Sequence, residues 1–169
     1  MSDSYELALQ IVHSLGGRTV ATAESLTGGL VGAALTEVPG ASAIYRGGVI
    51  PYATDLKVSL LDIPKLTMSH GPVSAEVAAA MAVNAAYLLN SDFAVATTGV
   101  AGPDEQDGHA VGTVFIAVFR RGRDGLEVLS LGQQLALTSD HADPVAVRAN
   151  IREQSVVAAL RLLLSAIPE

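Results

Sequence analysis

The chain has 169 residues, half of them apolar, with no cysteine and a formal net charge of −7. This length and apolar content predict one domain with a buried core and exclude a disordered chain, while the lack of cysteine excludes disulfides and a thiolate nucleophile. The acidic balance argues against a nucleic-acid partner, and without a long apolar stretch or a basic, apolar leader we expect no membrane partner, no signal peptide and a cytoplasmic location.

The first third of the chain alternates between helical and extended patterns, each closed by glycine or proline. Apolar spacing predicts, in chain order, a helix over 4–15, a strand over 18–23, a helix over about 29–37, a strand over 43–50 and a short helix that begins at Thr54 and ends before Pro64. The two glycines within 43–50 indicate a bulge or a close backbone approach in that strand.

The rest of the chain continues this alternation and then ends differently. The patterns predict a helix capped by Ser74 and running to about Leu89, a strand over 92–98, a long glycine-containing loop, two strands over 111–121 and 126–137 joined by a hairpin turn at 122–125, and a final helix from Asp143-Pro144 to about Leu164. We therefore predict an α/β fold. It is a single α/β/α layered domain over 1–169, with a mixed sheet and a late antiparallel hairpin.

The most informative segment is ATAESLTGG (21–29), a strand that turns into a helix. A serine in this turn, Ser25, lies at the carboxyl edge of the sheet and faces the unpaired N–H groups of the following helix. Those donors can stabilise an oxyanion or bind a phosphate. The alternative is that Ser25 or Thr27 only caps the helix while the glycines permit the turn.

The second segment, YATDLK (52–57), contains one of only two lysines in the chain. With Thr54 as N-cap, Lys57 takes the third helical position, where the helix dipole opposes a cation and lowers the pKa of a lysine. Lowering that pKa to ~7–8 takes ~4 kcal/mol, and a helix end supplies at most ~2 kcal/mol. Burial must therefore supply most of it, or Tyr52 must relay the proton; the alternative is a surface lysine beside a core tyrosine. We expect Lys65 to lie solvated in a loop.

The third segment, TTGVAG (97–102), again follows a buried strand. Gly99 and Gly102 allow the backbone to approach a ligand closely, and the alternative is a plain turn. The four histidines have no partner at metal-ligand spacing, so we expect no metal site. Asp104, Glu105 and Asp107 are interpreted as a solvated acidic loop.

Together these segments resemble the CinA C-terminal domain family. The resemblance is carried by AESLTGG (23–29), GGVIPYATDLK (47–57), GPVSAEVAAAMA (71–82), and TTGVAGP with the later VGTV (97–103 and 111–114). It spans about residues 5 to 164, in the order of the family. The resemblance implies an α/β/α layered fold and a homo-oligomer, because members of the family are commonly oligomeric.

The resemblance also implies an activity, the hydrolysis of nicotinamide mononucleotide to nicotinate mononucleotide and ammonia, with no cofactor and a small anionic nucleotide as the partner. The serine, tyrosine and lysine of the family correspond to Ser25, Tyr52 and Lys57. Substrate or oxyanion contacts are expected from the remaining candidates: Thr27, Gly28, Gly29, Thr98, Gly99, Gly102 and Arg148. Two alternatives stay open, a catalytically idle binding module and an amidase for a related carboxamide.

Overall fold

The computed structural model describes residues 2–122 and 128–168 of the chain. Its α-helices in these ranges are α1 (Asp3–Ser14), α2 (Leu30–Thr36), α3 (Thr54–Ser59), α4 (Lys65–Met68), α5 (Ala75–Leu88) and α6 (Pro144–Ala166). Its strands are β1 (Val20–Glu24), β2 (Tyr45–Val49), β3 (Phe93–Gly99), β4 (Thr113–Arg121) and β5 (Val128–Ala136). None of the described helices is long and apolar enough to cross a membrane.

One sheet contains all five strands, in the order β2-β1-β3-β4-β5. β1 pairs in parallel with both β2 and β3, whereas β4 pairs antiparallel with β3 and with β5. The carboxyl ends of the three parallel strands therefore meet at one edge of the sheet. The segments that follow β1, β2 and β3 are the three that carried the candidate residues, so the topology brings them to the same edge.

Helices cover both faces of the sheet, which confirms the predicted α/β/α fold with a mixed sheet. On one face, α1, α2 and α6 pack around a core that includes Ile11, Leu35, Phe93 and Leu160. The other face is covered by α5, whose alanine-rich surface lets the helix lie close to the sheet. Because the central strand β3 is buried on both faces, its first four residues, 93–96, are all apolar.

The late hairpin strands are confirmed by the antiparallel pairing of β4 and β5, with Thr113 opposite Ala136 and Arg121 opposite Val128. Most of the predicted turn at 122–125 lies outside the described residues. The bulge predicted within 43–50 is also present, because the β1–β2 register shifts between Val20 and Ala21. At the second glycine of β2, Gly48, any side chain would collide with Thr22 and Tyr45.

Helix caps agree with the sequence at two of the predicted starts. The side chains of Ser74 and Asp143 accept from Val77 N and Ala146 N, respectively. Two expectations were wrong. Lys65 opens the short helix α4 rather than lying in a loop, although it is exposed. Thr54 is the first helical residue of α3, and the extended residue before it, Ala53, is the N-cap.

Candidate active site

A cavity of about 90 Å³ opens at the carboxyl edge of the parallel strands. Its wall is built from the segments after β1, β2 and β3, from α3, and from the start of α6. Seven of the ten residues predicted for the site line this cavity: Ser25, Tyr52, Lys57, Thr98, Gly99, Gly102 and Arg148. The sheet topology therefore brings together residues that are as far apart in the chain as Ser25 and Arg148.

Ser25 and Lys57 form the centre of the cavity. Lys57 Nζ donates to Ser25 Oγ at 3.2 Å and to the carbonyl oxygen of Pro51 at 3.2 Å. Both side chains are buried, with exposed fractions of 2% for Lys57 and 8% for Ser25. Among the described residues, no carboxylate forms a salt bridge with this ammonium group. A buried lysine beside a serine hydroxyl is the arrangement that activates a hydroxyl nucleophile.

Burial lowers the pKa of Lys57 below its ordinary value, and the negative charge of Asp107 partly opposes that shift by raising the pKa. Burial is the largest cause of this lowered pKa. Lys57 is the fourth residue of the six-residue helix α3 rather than the third, because Ala53 and not Thr54 is the N-cap.

Tyr52 lies at the mouth of the cavity rather than in the core, with 55% of its surface exposed. Its hydroxyl accepts a 2.7 Å hydrogen bond from Arg148, whose other terminal nitrogen donates to the carbonyl of Gly102 at 2.6 Å. Arg148 therefore links the segment after β2 to the segment after β3, from the first turns of α6. The contact between Lys57 and Ser25 needs no relay through Tyr52.

The N–H groups at the start of α2 are occupied by Glu24, which the sequence analysis did not select. This carboxylate is 1% exposed and accepts from the backbone N–H groups of Gly29, Val31 and Gly32 at 2.9–3.0 Å. It also accepts from the hydroxyl of Thr27 at 2.8 Å. The start of α2 is therefore satisfied from inside the protein and has no free anion-binding donors.

Three predicted substrate contacts are corrected by this arrangement. Thr27 is fully buried, and its hydroxyl is shared between Glu24 and Thr97. The N–H of Gly28 donates to the carbonyl of Ser25 at 3.1 Å, and the N–H of Gly29 donates to Glu24. None of the three lines the cavity. The Thr27 hydroxyl and the N–H groups of Gly28 and Gly29 all donate to groups of the protein itself. These three residues therefore stabilise the turn that carries Ser25.

Three residues that line the cavity have backbone N–H groups that are not used within the described part of the protein. Within the described residues, the N–H groups of Leu26, Ala101 and Gly102 have no hydrogen-bond acceptor, and all three residues line the cavity. The hydroxyl of Thr98 donates to the carbonyl of Pro72, so this side chain supports the wall. At Gly99 the backbone of β4 occupies the place of a side chain, since a Cβ there would lie 2.7 Å from Thr113 O.

Acidic side chains face the same opening. Asp104 and Gln106 line the cavity, and Asp107 is close enough to Lys57 to affect its pKa. Asp104, Glu105 and Asp107 are all exposed, as expected for the acidic loop. In the part of the chain that the structure describes, no group of three or more His, Asp or Glu side chains is placed to hold a metal ion.

Sequence reasoning missed two charged residues that support the site. Glu24 and Arg152 hold the two sides of the Ser25 turn, the first through N–H groups and the second through the carbonyls of Leu26 and Thr27. An acidic residue that directly ends a buried strand and precedes a glycine-rich turn is the signal that could have revealed Glu24. No local signal reveals Arg152, because it lies 126 positions from Leu26.

Comparisons with known proteins identify relatives of this chain. The sequence model of the family described as CinA C-terminal domain matches residues 4–167. A CinA-like protein from Frankia casuarinae is 42% identical over 146 residues, which are 86% of this chain and 31% of that protein. A putative competence-damage inducible protein from Symbiobacterium thermophilum is 43% identical over 149 residues, which are 87% of this chain and 34% of that protein. The chain thus spans about a third of the length of these relatives.

Solved structures show the same fold. The competence/damage inducible protein CihA from Agrobacterium tumefaciens has a TM-score of 0.86 and 35% identity, covering 98% of this chain and 96% of that one. The competence damage-inducible protein A from Klebsiella pneumoniae also has a TM-score of 0.86, with 27% identity over 98% of this chain and 97% of that one.

Proposed function

The chain belongs to the CinA C-terminal domain family, and from this premise we propose that it is an amidohydrolase that converts nicotinamide mononucleotide to nicotinate mononucleotide and ammonia. One observation supports this most directly. Lys57 Nζ lies 3.2 Å from Ser25 Oγ inside the protein, where burial lowers the pKa of the lysine. A lysine that loses its proton more readily than usual can act as a general base for a serine nucleophile.

In the proposed first step, Ser25 Oγ attacks the carboxamide carbon and neutral Lys57 takes the hydroxyl proton. The carbonyl π electrons move to the oxygen, and the resulting oxyanion accepts from the free N–H of Leu26 and from a second N–H at Ala101 or Gly102. As the tetrahedral intermediate collapses, the C–N bond breaks and Lys57 returns the proton to the leaving nitrogen. Ammonia departs, and an ester joins Ser25 to the nicotinoyl group.

In the second step, water attacks the ester carbon while Lys57 accepts one of its protons. The C–O bond to Ser25 then breaks, and Lys57 returns that proton to Ser25 Oγ. The carboxylic acid product leaves as nicotinate mononucleotide. Atoms balance as amide plus water giving acid plus ammonia, so the proposed reaction requires no cofactor.

The cavity is smaller than a nucleotide. Its volume of about 90 Å³ lies well below the ~300–1,000 Å³ of typical ligand sites. It therefore accommodates the reacting carboxamide end, and the ribose phosphate extends past the rim formed by Tyr52 and Arg148. The Arg148 guanidinium is the positive group at that rim and the proposed contact for the phosphate.

Ammonia release tests the proposal directly. The wild-type protein is incubated with nicotinamide mononucleotide, and ammonia and the acid product are measured against a Ser25→Ala variant. Turnover by the wild type alone is expected. If the wild type releases no more ammonia than the Ser25→Ala variant, the proposal is wrong. Binding of the nucleotide without turnover would instead favour a catalytically idle binding module.

A related carboxamide is the second candidate substrate, favoured by the acidic loop. Asp104 lines the same cavity as Arg148, the phosphate contact proposed above, and carboxylates near a phosphate oppose its binding. Nicotinamide riboside carries the same carboxamide without the phosphate. A higher kcat/KM for the riboside than for the mononucleotide would identify the unphosphorylated compound as the better substrate.

We also propose that the protein is a cytoplasmic homo-oligomer. Several large apolar side chains are exposed on this chain, among them Leu66 at 80%, Tyr87 at 61% and Leu88 at 52%. A second copy that covered such residues would remove apolar surface from water. Light scattering that reports a mass above that of one chain supports self-association, and a mass of one chain contradicts it.

A further inference from the structure

Arg152 connects α6 to the turn that carries Ser25. Its Nε donates to the carbonyl of Leu26 and its Nη2 to the carbonyl of Thr27, both at 2.9 Å. Two successive carbonyls are therefore held by one planar guanidinium group, a geometry that the ammonium of a lysine does not reproduce. Arg152 itself does not line the cavity, so it does not contact a substrate there.

These two hydrogen bonds constrain the orientation of the peptide groups beside Ser25. In a trans peptide group the C=O and the N–H point in opposite directions. A hydrogen bond that fixes the C=O of one residue therefore also fixes the direction of the N–H of the next residue. The peptide whose carbonyl belongs to Thr27 has the N–H of Gly28, which donates to the carbonyl of Ser25 at 3.1 Å. That carbonyl belongs in turn to the peptide whose N–H is on Leu26. Arg152 therefore fixes the direction of the free N–H of Leu26 through two peptide groups, the one between Thr27 and Gly28 and the one between Ser25 and Leu26.

The opposite side of the same turn is held by Glu24. Its buried carboxylate accepts the N–H groups of Gly29, Val31 and Gly32, while Arg152 holds carbonyls from the other side. Gly28 lies between them with a φ of +61°, and a side chain there would lie 3.4 Å from the guanidinium. The Glu24 carboxylate thus accepts from the N–H groups of the turn, and the Arg152 guanidinium donates to the carbonyls of the turn.

We propose that Arg152 is a positioning residue that aligns the backbone N–H of Leu26 to stabilise the oxyanion formed at Ser25. This proposal rests on the proposed hydrolysis at Ser25. Arg152 acts through the peptide groups and not on the substrate. Loss of its side chain releases the carbonyls of Leu26 and Thr27, so the Leu26 donor loses its alignment while Ser25 and Lys57 stay in contact.

The test uses a ligand that forms a tetrahedral adduct without requiring turnover. Pyridine-3-boronic acid is small, resembles the nicotinamide ring and bonds reversibly to a serine oxygen. Its affinity is compared in wild type, Arg152→Ala and Arg152→Lys, beside the affinity for nicotinamide, which is planar. Arg161→Ala is the matched control, because Arg161 lies on the same helix and is 64% exposed, with one long salt bridge to Asp3.

We expect both Arg152 variants to bind the boronic acid ~10- to 100-fold more weakly, the scale on which small misalignments act, with little change in nicotinamide affinity. Ethylguanidinium should restore part of the loss in Arg152→Ala, because Arg152 borders an open surface groove of about 590 Å³ between α2 and α6. The control should bind as wild type does. Thermal melting of each variant measures the folded fraction.

Unchanged boronic acid affinity in folded Arg152→Ala would overturn the proposal, as would an equal loss of nicotinamide affinity. A purely structural role would lower the melting temperature and weaken both ligands together. Absence of ammonia release from nicotinamide mononucleotide by the wild type would refute only the proposed function. The boronic acid comparison does not use that substrate, so the two failures are distinguishable.

Discussion

Lys57 and Ser25 are 32 positions apart in the chain, yet Nζ and Oγ lie 3.2 Å apart in a buried cavity. The contact arises because Ser25 follows β1 and Lys57 lies in α3, just after β2, and these two strands are parallel neighbours. Burial of the amine then lowers the pKa of Lys57, as a general base for the serine requires.

Replacing Lys57 removes the proposed base without removing the nucleophile. We expect Lys57→Met to reduce the rate of ammonia release by ~100-fold or more, the usual scale for general base catalysis. Lys65→Met is the matched control, because Lys65 is the other lysine of the chain and is exposed. The measurement is kcat for both variants. Near-normal turnover by Lys57→Met would assign proton abstraction to another group.

The pH profile should report the titration of Lys57. The proposed mechanism requires the neutral amine of Lys57, so kcat/KM should fall as the pH drops through the lowered pKa of this residue. Because the charge of Asp107 raises that pKa, Asp107→Asn should move the acidic limb of the profile to lower pH. Asp140→Asn, in the exposed segment before α6, is the control. If the acidic limb of the kcat/KM profile lies at the same pH in Asp107→Asn as in the wild type, a group other than Lys57 controls that limb.

The same shift predicts how stability depends on pH. In the unfolded chain the pKa of Lys57 returns to its ordinary value of 10.5. Between the lowered pKa and that value the unfolded state binds more protons, so the contribution of Lys57 to the free energy of unfolding rises with pH, by ~1.4 kcal/mol for each unit by which the pKa is lowered. At lower pH the buried charge is destabilising.

Urea unfolding of wild type and Lys57→Met across this pH range measures the effect. The difference between the two unfolding free energies should change in favour of the wild type as the pH rises. Lys65→Met should follow the wild-type curve at every pH. Parallel curves for wild type and Lys57→Met would show that Lys57 has the same pKa in both states.

Tyr52 separates direct proton transfer from a relay. Its hydroxyl accepts from Arg148, and Lys57 already contacts Ser25 without it. We therefore expect Tyr52→Phe to weaken substrate binding and raise KM, with a fall in kcat below the ~100-fold expected for loss of the base. The measurement is the separate determination of kcat and KM. A fall in kcat as large as that of Lys57→Met would instead make Tyr52 a proton carrier.

Glu24 should matter chiefly for stability. Its carboxylate accepts three backbone N–H groups and the Thr27 hydroxyl while 1% exposed. Glu24→Gln keeps the size but turns an NH2 group toward these donors, so we expect a loss of about 1–3 kcal/mol in the free energy of unfolding. Urea unfolding measures it, with the exposed Glu37→Gln at the end of α2 as control. A loss no larger than in the control would contradict this role.

Much of the fold follows from local sequence patterns. Apolar spacing located the five strands and every described α-helix except the short α4. The caps at Ser74 and Asp143 were correct because a cap depends on residues three positions apart. The N-cap of α3 was predicted one residue late, since a threonine is a common cap and an alanine is a rare one. Placing Ser25, Lys57 and Tyr52 as candidates also required only the sequence.

The sequence by itself therefore determined the elements, the fold class and the residues able to do chemistry. Only the tertiary structure decided which of these residues are in contact. The contacts of Lys57 with Ser25, of Arg148 with Tyr52 and of Arg152 with Leu26 span 32, 96 and 126 positions, so they depend on the strand order and on the placement of α6. It removed Thr27, Gly28 and Gly29 from the proposed substrate contacts, since Glu24 folds back onto the N–H groups that follow it. It also brought in Arg152, because hydrogen bonds to backbone carbonyls leave no trace in the sequence of the turn they hold.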